Sequence, residues 1–132
     1  MKAFQVQRQY VRDQTAKRVY KKPVAELVPE ARKLLFEKGF RTKDTSSDAS
    51  ASIETEEKKD GDTKVKYLVL VTKVDEASCK FEFTKVSSGL LGPTSERDLD
   101  LENVFMRRVD FEAASQIEKE AIAEGEKSKS SS

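Results

Sequence analysis

Three segments of the chain alternate apolar with polar residues, a period that is typical of β-strands. The first segment runs from Phe4 to Arg12 and places Phe4, Val6 and Tyr10 on one side. The second covers residues 63–74 and the third covers residues 79–86. We therefore expect a strand near the N-terminus and two longer strands in the middle of the chain.

The two central segments differ in how their apolar residues are distributed. In residues 79–86, the apolar residues on one face are Cys79, Phe81 and Phe83, and the other face is polar. In residues 63–74, one face carries Val65, Tyr67, Val69 and Val71, and the other carries Leu68, Leu70 and Val74. The first pattern indicates a half-buried strand, whereas the second indicates a central strand or one covered on both sides.

Turn residues join these segments into a hairpin system. Asp60-Gly61 follows residues 52–57, and glycine accepts a positive φ without a Cβ clash. Residues 75–78 form a second polar turn. The sequence therefore predicts an antiparallel meander of three strands.

A helix is predicted for residues 24–38. Its apolar stripe, at i, i+3, i+4 and i+7 spacing, consists of Val24, Leu27, Val28, Ala31, Leu34 and Leu35. Gly39 supplies a left-handed stop, and Phe40 can fold back on the last turn. Pro29 is compatible with this helix if it lies in the first turn, where its missing N–H costs no hydrogen bond. Otherwise the helix should be kinked or broken near Val28.

The second half of the chain is less regular. Residues 87–96 contain Gly89, Gly92 and Pro93 and predict a loop. Residues 102–110 fit a strand or a helix, and we favour the strand. Residues 112–124 predict a helix that ends at Gly125. Residues 42–52 predict a flexible polar loop and residues 125–132 a disordered tail, because neither has enough apolar surface to offset the entropy of ordering.

These elements predict a single α+β domain over residues 1–124. Its element order is β-α-β-β-β-(β)-α, with one or two helices packed on one face of an antiparallel sheet of four to five strands. A chain of 132 residues is long enough to bury one core.

Composition points to a soluble protein of the cell interior. The N-terminus has no apolar signal-peptide region, and the longest apolar run, residues 67–71, is far too short for a membrane span. A single cysteine, Cys79, forms no internal disulfide and suits a reducing compartment. We therefore expect a cytoplasmic protein with no membrane partner.

Missing residue types exclude most catalytic sites. The chain has no histidine and one cysteine, so histidine-based triads and tetrahedral zinc sites have no ligands or bases. The glycines do not have the spacing of nucleotide-binding loops. The alternating carboxylates Asp98, Asp100 and Glu102 are interpreted as a charged solvent face. We expect no catalytic residues, no metal, no cofactor and no enzyme activity.

Charge is distributed unevenly along the chain. Residues 1–43 hold 12 Lys and Arg against 4 Asp and Glu, whereas residues 44–132 hold 13 against 20. Three explanations are open: contact with nucleic acid, contact with an acidic partner, and an internal electrostatic clasp.

The leading hypothesis is a non-catalytic accessory protein that binds nucleic acid through residues 8–22. Cations in this segment would neutralise phosphates, and its two tyrosines would stack on bases. The predicted contact residues are Arg8, Tyr10, Arg12, Lys17, Arg18, Tyr20, Lys21 and Lys22. No RNA- or DNA-binding family motif accompanies them.

Two alternatives remain. In the first, the protein is an interaction or assembly factor, compatible with a homodimer, that uses residues 65–74 and an apolar contact at Leu90 and Leu91; its basic segment then meets an acidic protein surface. In the second, it carries a small ligand in a pocket between helix and sheet, rimmed by the glycine loop at 89–92. The sequence does not choose among the three.

Overall fold

In the computed structural model of the protein, residues 3–43 and 52–130 are described, and they form four helices and five strands. The helices are α1 (Ala3–Ala16), α2 (Val24–Glu37), α3 (Leu99–Val109) and α4 (Phe111–Ser130). The strands are β1 (Ser52–Glu54), β2 (Lys58–Asp60), β3 (Thr63–Asp75), β4 (Ser78–Gly89) and β5 (Gly92–Arg97). This confirms the α+β class. Residues 44–51 of the predicted flexible loop lie outside the described residues.

The chain divides into two compact units. The helical unit consists of Met1–Arg18 and Leu99–Ser132, and the sheet unit consists of Val19–Asp98. The helical unit therefore contains α1, α3 and α4, while α2 and all five described strands belong to the sheet unit.

The sheet is antiparallel and is organised around the long β3–β4 hairpin. Its strand order is β1-β3-β4-β5, and β2 also pairs with β3, beside β1. The register places Leu70 opposite Glu82 and Leu68 opposite Thr84. Both hairpin strands thus have hydrogen-bonded neighbours on either side, as expected for the centre of a sheet.

One face of the sheet is buried, and α2 packs on this side. The buried sheet residues are Ile53, Val65, Tyr67, Val69, Val71, Cys79, Phe81 and Phe83, and those of α2 are Leu27, Val28, Ala31, Leu34 and Leu35. The Phe40 ring meets the Tyr67 ring edge to face, with centroids 4.9 Å apart. We call this the inner face of the sheet. The predicted orientation of Cys79, Phe81 and Phe83 is confirmed.

The end of α2 follows the predicted glycine stop. The Phe40 amide donates to the Leu35 carbonyl at 2.9 Å, the Gly39 amide donates to the Phe36 carbonyl at 2.9 Å, and Gly39 has a φ of 91°. This is the Schellman arrangement. Pro29 lies inside the helix without ending it.

The predicted N-terminal strand is wrong, because residues 3–16 form α1. The same residues also satisfy a helical spacing, since Phe4, Arg8 and Val11 are i, i+4 and i+7. These three side chains line one groove together with Ala121 and Ile122 of α4. Contact with α4, together with the good helix propensity of glutamine and arginine, decides between the two periods.

Two further predictions in the second half of the chain are corrected. Residues 102–109 belong to α3 instead of a strand, because Leu101, Phe105 and Met106 then share one buried side, and Asp110 follows the helix. Residues 87–96, predicted as a loop, contain the end of β4 and most of β5. The sheet reaches five described strands through β5 and not through the N-terminal segment.

Helix α4 continues past Gly125, where the sequence predicted its end. Gly125 is buried, and a Cβ atom built on it would lie 2.8 Å from Gln7 Cγ and 3.1 Å from the Ala3 carbonyl oxygen. The missing side chain thus lets α1 and α4 approach each other, so this glycine serves packing and not termination.

We predict that Gly125→Leu destabilises the protein by about 1–3 kcal/mol, the usual cost of overpacking a close contact. The matched control is Ala123→Leu, which places the same side chain at an exposed position of the same helix and should change stability by less than about 0.5 kcal/mol. Urea unfolding followed by circular dichroism measures both. Equal effects for the two variants would contradict the proposed close packing.

Candidate functional site

The predicted basic segment is divided between the two units. Arg8, Tyr10 and Arg12 lie on α1, and Lys17 and Arg18 directly follow this helix. Tyr20, Lys21 and Lys22 belong to the sheet unit. The segment therefore begins on a helix and not on the strand that the sequence predicted, and its last residues lie in the other unit.

Within the helical unit, much of the predicted binding segment contacts the protein's own acids. Arg12 Nη1 lies 3.7 Å from Asp100, and Arg18 Nη2 lies 2.5 Å from Asp110. The Tyr10 hydroxyl donates to Glu120 at 3.0 Å. Partial removal from water and this hydrogen bond raise the pKa of Tyr10. These groups thus have partners inside the unit.

Asp110 connects all three helices of the unit. One carboxylate oxygen accepts from Arg18, just after α1, and the other accepts from the Ala113 amide at 3.3 Å, at the start of α4. Its own amide donates to the Met106 carbonyl of α3 at 2.7 Å. Asp110 is therefore the N-cap of α4 and the anion of a half-buried ion pair.

The side-chain charges in the described part of the helical unit balance. Residues 3–18 carry four cations and one carboxylate, and residues 99–130 carry five cations and eight carboxylates, nine of each sign in all. The uneven charge along the sequence thus becomes an internal electrostatic clasp in this unit.

In the sheet unit, Tyr20 lies in the core. Its side chain is 3% exposed, its backbone forms a bridge with Cys79, and its ring meets the Phe81 ring with centroids 6.2 Å apart. The Cys79 thiol donates to the Lys22 carbonyl at 3.4 Å, and burial raises the pKa of this thiol. Neither the Tyr20 ring nor the Cys79 thiol is therefore accessible to a nucleic acid base. Of the eight predicted contact residues, Arg8, Lys17 and Lys21 are exposed.

The outer face of the sheet is a different and larger candidate surface. Residues paired across antiparallel strands share a face. Leu68 and Leu70 of β3 are 37% and 48% exposed there, and Val86 of β4 is half-buried opposite Lys66. An apolar patch thus lies at the centre of an open sheet face.

Cations predominate around this patch. The register places five of them on the outer face: Lys59, Lys64, Lys66, Lys80 and Arg97. The two carboxylates of the face are both in ion pairs: Glu54 contacts Lys43 at 3.1 Å and Lys66 at 3.2 Å, and Glu82 lies 3.6 Å from Arg97. The two hydrogen bonds from these lysines lower the pKa of Glu54.

A second apolar feature lies at the turn between β4 and β5. Leu90 and Leu91 are 98% and 102% exposed, so they do not fill the core. They border a depression of about 430 Å³ that is also lined by Asp62, Thr63, Ser87 and Thr94. The glycine loop borders this depression, whose lining residues come from strands and turns and not from a helix, and whose other walls are polar.

The described residues meet neither the requirements of a metal site nor those of a membrane-spanning helix. Within residues 3–43 and 52–130, no three His, Cys, Asp or Glu side chains gather where they could hold a metal ion. No helix in this part of the chain has the length and apolar character needed to cross a bilayer. Asp98 accepts a hydrogen bond from the Tyr67 hydroxyl at 2.8 Å, and Asp100 and Glu102 lie in the first turn of α3. The predicted charged solvent face is wrong for Glu102, which is 2% exposed.

Comparisons of the chain with protein-family models, with curated proteins and with solved structures gave no match.

The cations of the outer face were missed by the sequence reasoning. Lys64 and Lys66 precede Leu68 and Leu70 at the same two-residue spacing, so the sequence did carry this part of the pattern. Lys80 follows the alternation of residues 79–86, whose second face the sequence predicted to be polar, whereas the position of Arg97 depends on the pairing of β5, which the sequence did not give.

We predict that Asp110→Ala lowers the free energy of unfolding by about 1–3 kcal/mol, because it removes a helix cap and one half of a partly buried ion pair. Asp110→Asn should cost less, since asparagine also caps helices. Urea unfolding of both variants tests this. An effect no larger for Asp110→Ala than for Asp110→Asn would contradict the capping role.

We predict that the free energy of unfolding depends on pH through Glu54, and that Glu54→Gln removes this contribution. The pKa of Glu54 is lowered in the folded state, so its ion pairs contribute stability above its ordinary pKa, and this contribution is lost as the pH falls through the lowered value. The variant should be less stable than the wild type at neutral pH and equal to it in strong acid. Denaturant titrations across the acid range measure the difference. A stability difference that persists in strong acid would contradict this explanation.

Proposed function

We propose that the protein is a non-catalytic interaction module that binds an acidic partner protein on the outer face of its sheet. The observation that carries the proposal is the position of Leu68 and Leu70, partly exposed at the centre of a face whose surrounding charges are mostly positive. Single exposed apolar residues are common, but a patch bordered by charge is typical of an interaction surface.

The leucines would supply the apolar part of the affinity. Full burial of a leucine side chain contributes roughly 1.5–3 kcal/mol, so two leucines that are about half exposed would contribute roughly that amount together. This corresponds to an affinity gain of about 10- to 100-fold.

The cations would select the partner. Lys59, Lys64 and Lys80 are exposed and have no ion-pair partner among the described residues. Complementary charge speeds encounter and disfavours partners of the wrong sign. A partner that buries the leucines would therefore carry carboxylates around its own apolar contact.

Nucleic-acid binding through residues 8–22 stays a prediction with weaker support. Its remaining basis is the exposure of Arg8, Lys17 and Lys21. Arg12, Arg18 and Tyr10 contact acids of the helical unit, and Tyr20 is buried. Phosphate contact alone gives sequence-independent binding that salt weakens strongly.

We predict that Leu68→Thr combined with Leu70→Thr lowers capture of the partner protein by about tenfold or more, because the central apolar contact is lost. Threonine keeps the preference for a strand, so melting of the variant should stay close to that of the wild type. The measurement is affinity capture from extract with quantitative mass spectrometry. Ile122→Thr, which removes a 54% exposed aliphatic residue from α4, is the matched control.

The double variant Leu90→Ser and Leu91→Ser tests whether the turn between β4 and β5 contributes to capture independently of the outer face. Those leucines are fully exposed, so their loss should not affect folding. Capture unaffected by the Leu68 and Leu70 replacements, or abolished by nuclease, would reject the proposal.

A further inference from the structure

We infer that the partner segment is an acidic amphipathic α-helix that lies along β3 and β4, with carboxylates at both ends of its apolar stripe. This inference rests on the proposed function and specifies the partner for the same face. It is carried by the hydrogen bonding of the central strands, the length of the patch and the distribution of the cations.

The hydrogen bonding of the sheet excludes an added strand at this position. β3 pairs with β4 on one side and with β1 and β2 on the other, and β4 pairs with β3 and β5. The backbone groups of the patch are therefore used within the sheet. A segment that lies on this face must satisfy its own N–H and C=O groups, and a helix does so internally.

The patch has the length of a short helical stripe. Leu70, Leu68 and the Lys66–Val86 pair follow one another at two-residue intervals along β3. With a rise of about 3.3 Å per residue, they span about 13 Å. Apolar residues at i, i+3 or i+4, and i+7 of a helix span about 10.5 Å, so a stripe of two to three turns covers the patch.

Three of the five cations lie beyond the ends of this patch, whereas Lys66 and Arg97 lie level with it and form ion pairs with Glu54 and Glu82. Lys80 is opposite Thr72, two residues past Leu70, and Lys64, which is paired with Lys59, lies two residues past Lys66. Positions 64 and 72 of β3 are about 26 Å apart. A helix of that length has about 17 residues, so its carboxylates should occur in the turns before and after the apolar stripe.

Two other occupants fit less well. If a second copy presented the same face, the five cations of one copy would lie against the five cations of the other. The two carboxylates of each face are already in ion pairs and would not offset this repulsion. Nucleic acid would find no aromatic ring for stacking, because the described outer-face positions of the strands are occupied by aliphatic, hydroxyl, proline and charged residues.

The test uses the full chain and synthetic helical peptides of about 17 residues. One peptide has a leucine stripe with glutamates in the first and last turns. The second has lysines in place of the glutamates, and the third keeps the glutamates but has serines in place of the leucines. Fluorescence anisotropy at about 50 mM and about 300 mM NaCl gives the affinities. The first peptide should bind at least about tenfold more tightly than either of the others, and salt should weaken it.

Charge reversal on the protein supplies the decisive comparison. Lys64→Glu combined with Lys80→Glu should shift the preference from the acidic to the basic peptide. Lys73→Glu combined with Lys85→Glu makes the same change in net charge at exposed positions that the strand alternation assigns to the opposite side, and it should leave the preference unchanged. Circular dichroism melting shows whether each variant is folded.

The outcomes separate the two proposals. Equal binding of the acidic and basic peptides, lost on Leu68→Thr and Leu70→Thr, overturns the helix charge inference and leaves the protein-binding function standing. Concentration-dependent self-association that the same replacements abolish makes a second copy the occupant and overturns the inference. Binding of single-stranded RNA to this face, unaffected by replacement of the leucines, overturns both proposals. Both are also overturned if no peptide binds and if capture of proteins from extract does not depend on the leucines.

Discussion

Asp110 joins the three helices of the helical unit, two through its side chain and the third through its backbone. It accepts from Arg18 after α1 and from the first turn of α4, while its backbone closes α3. An exposed ion pair alone contributes little, but this pair is partly buried and shares its carboxylate with a helix cap. The basic residues 3–18 are thereby joined to the more acidic residues 99–130, and these two described stretches together have equal numbers of positive and negative side chains.

This arrangement changes where positive charge is accessible to a partner. The N-terminal cations look like a binding segment when they are read along the chain, but Arg12 and Arg18 face carboxylates of their own unit. The outer face of the sheet shows the reverse. Its cations are dispersed in the sequence, and the β3–β4–β5 pairing gathers them around Leu68 and Leu70. Its two carboxylates are already in ion pairs.

The sheet links this surface to the core. The inner side of β3 is filled by Val65, Tyr67, Val69 and Val71, which fixes the register against β4. A shift by one residue would expose that whole set. The outer positions are consequently held in register by the core, so the backbone that presents the leucine patch and its cations is fixed by hydrogen bonding. A fixed backbone loses little conformational entropy when a partner binds.

Sequence patterns alone determined those parts of the fold in which the residues fit either the strand period or the helical period, but not both. The α2 stripe with its Gly39 stop, the Asp60-Gly61 turn and the inward set of β4 were predicted correctly, because local chemistry and burial agree there. Residues 4–12 satisfy both a two-residue and a helical period, so contact with α4 made the choice. Residues 102–110 also fit both periods, and packing against α1 and α4 favoured the helix. Close packing against α1 likewise explains why Gly125 lies inside α4. Only the tertiary structure decided which charges neutralise each other and which reach solvent, because that depends on strand register and helix packing between residues distant in sequence.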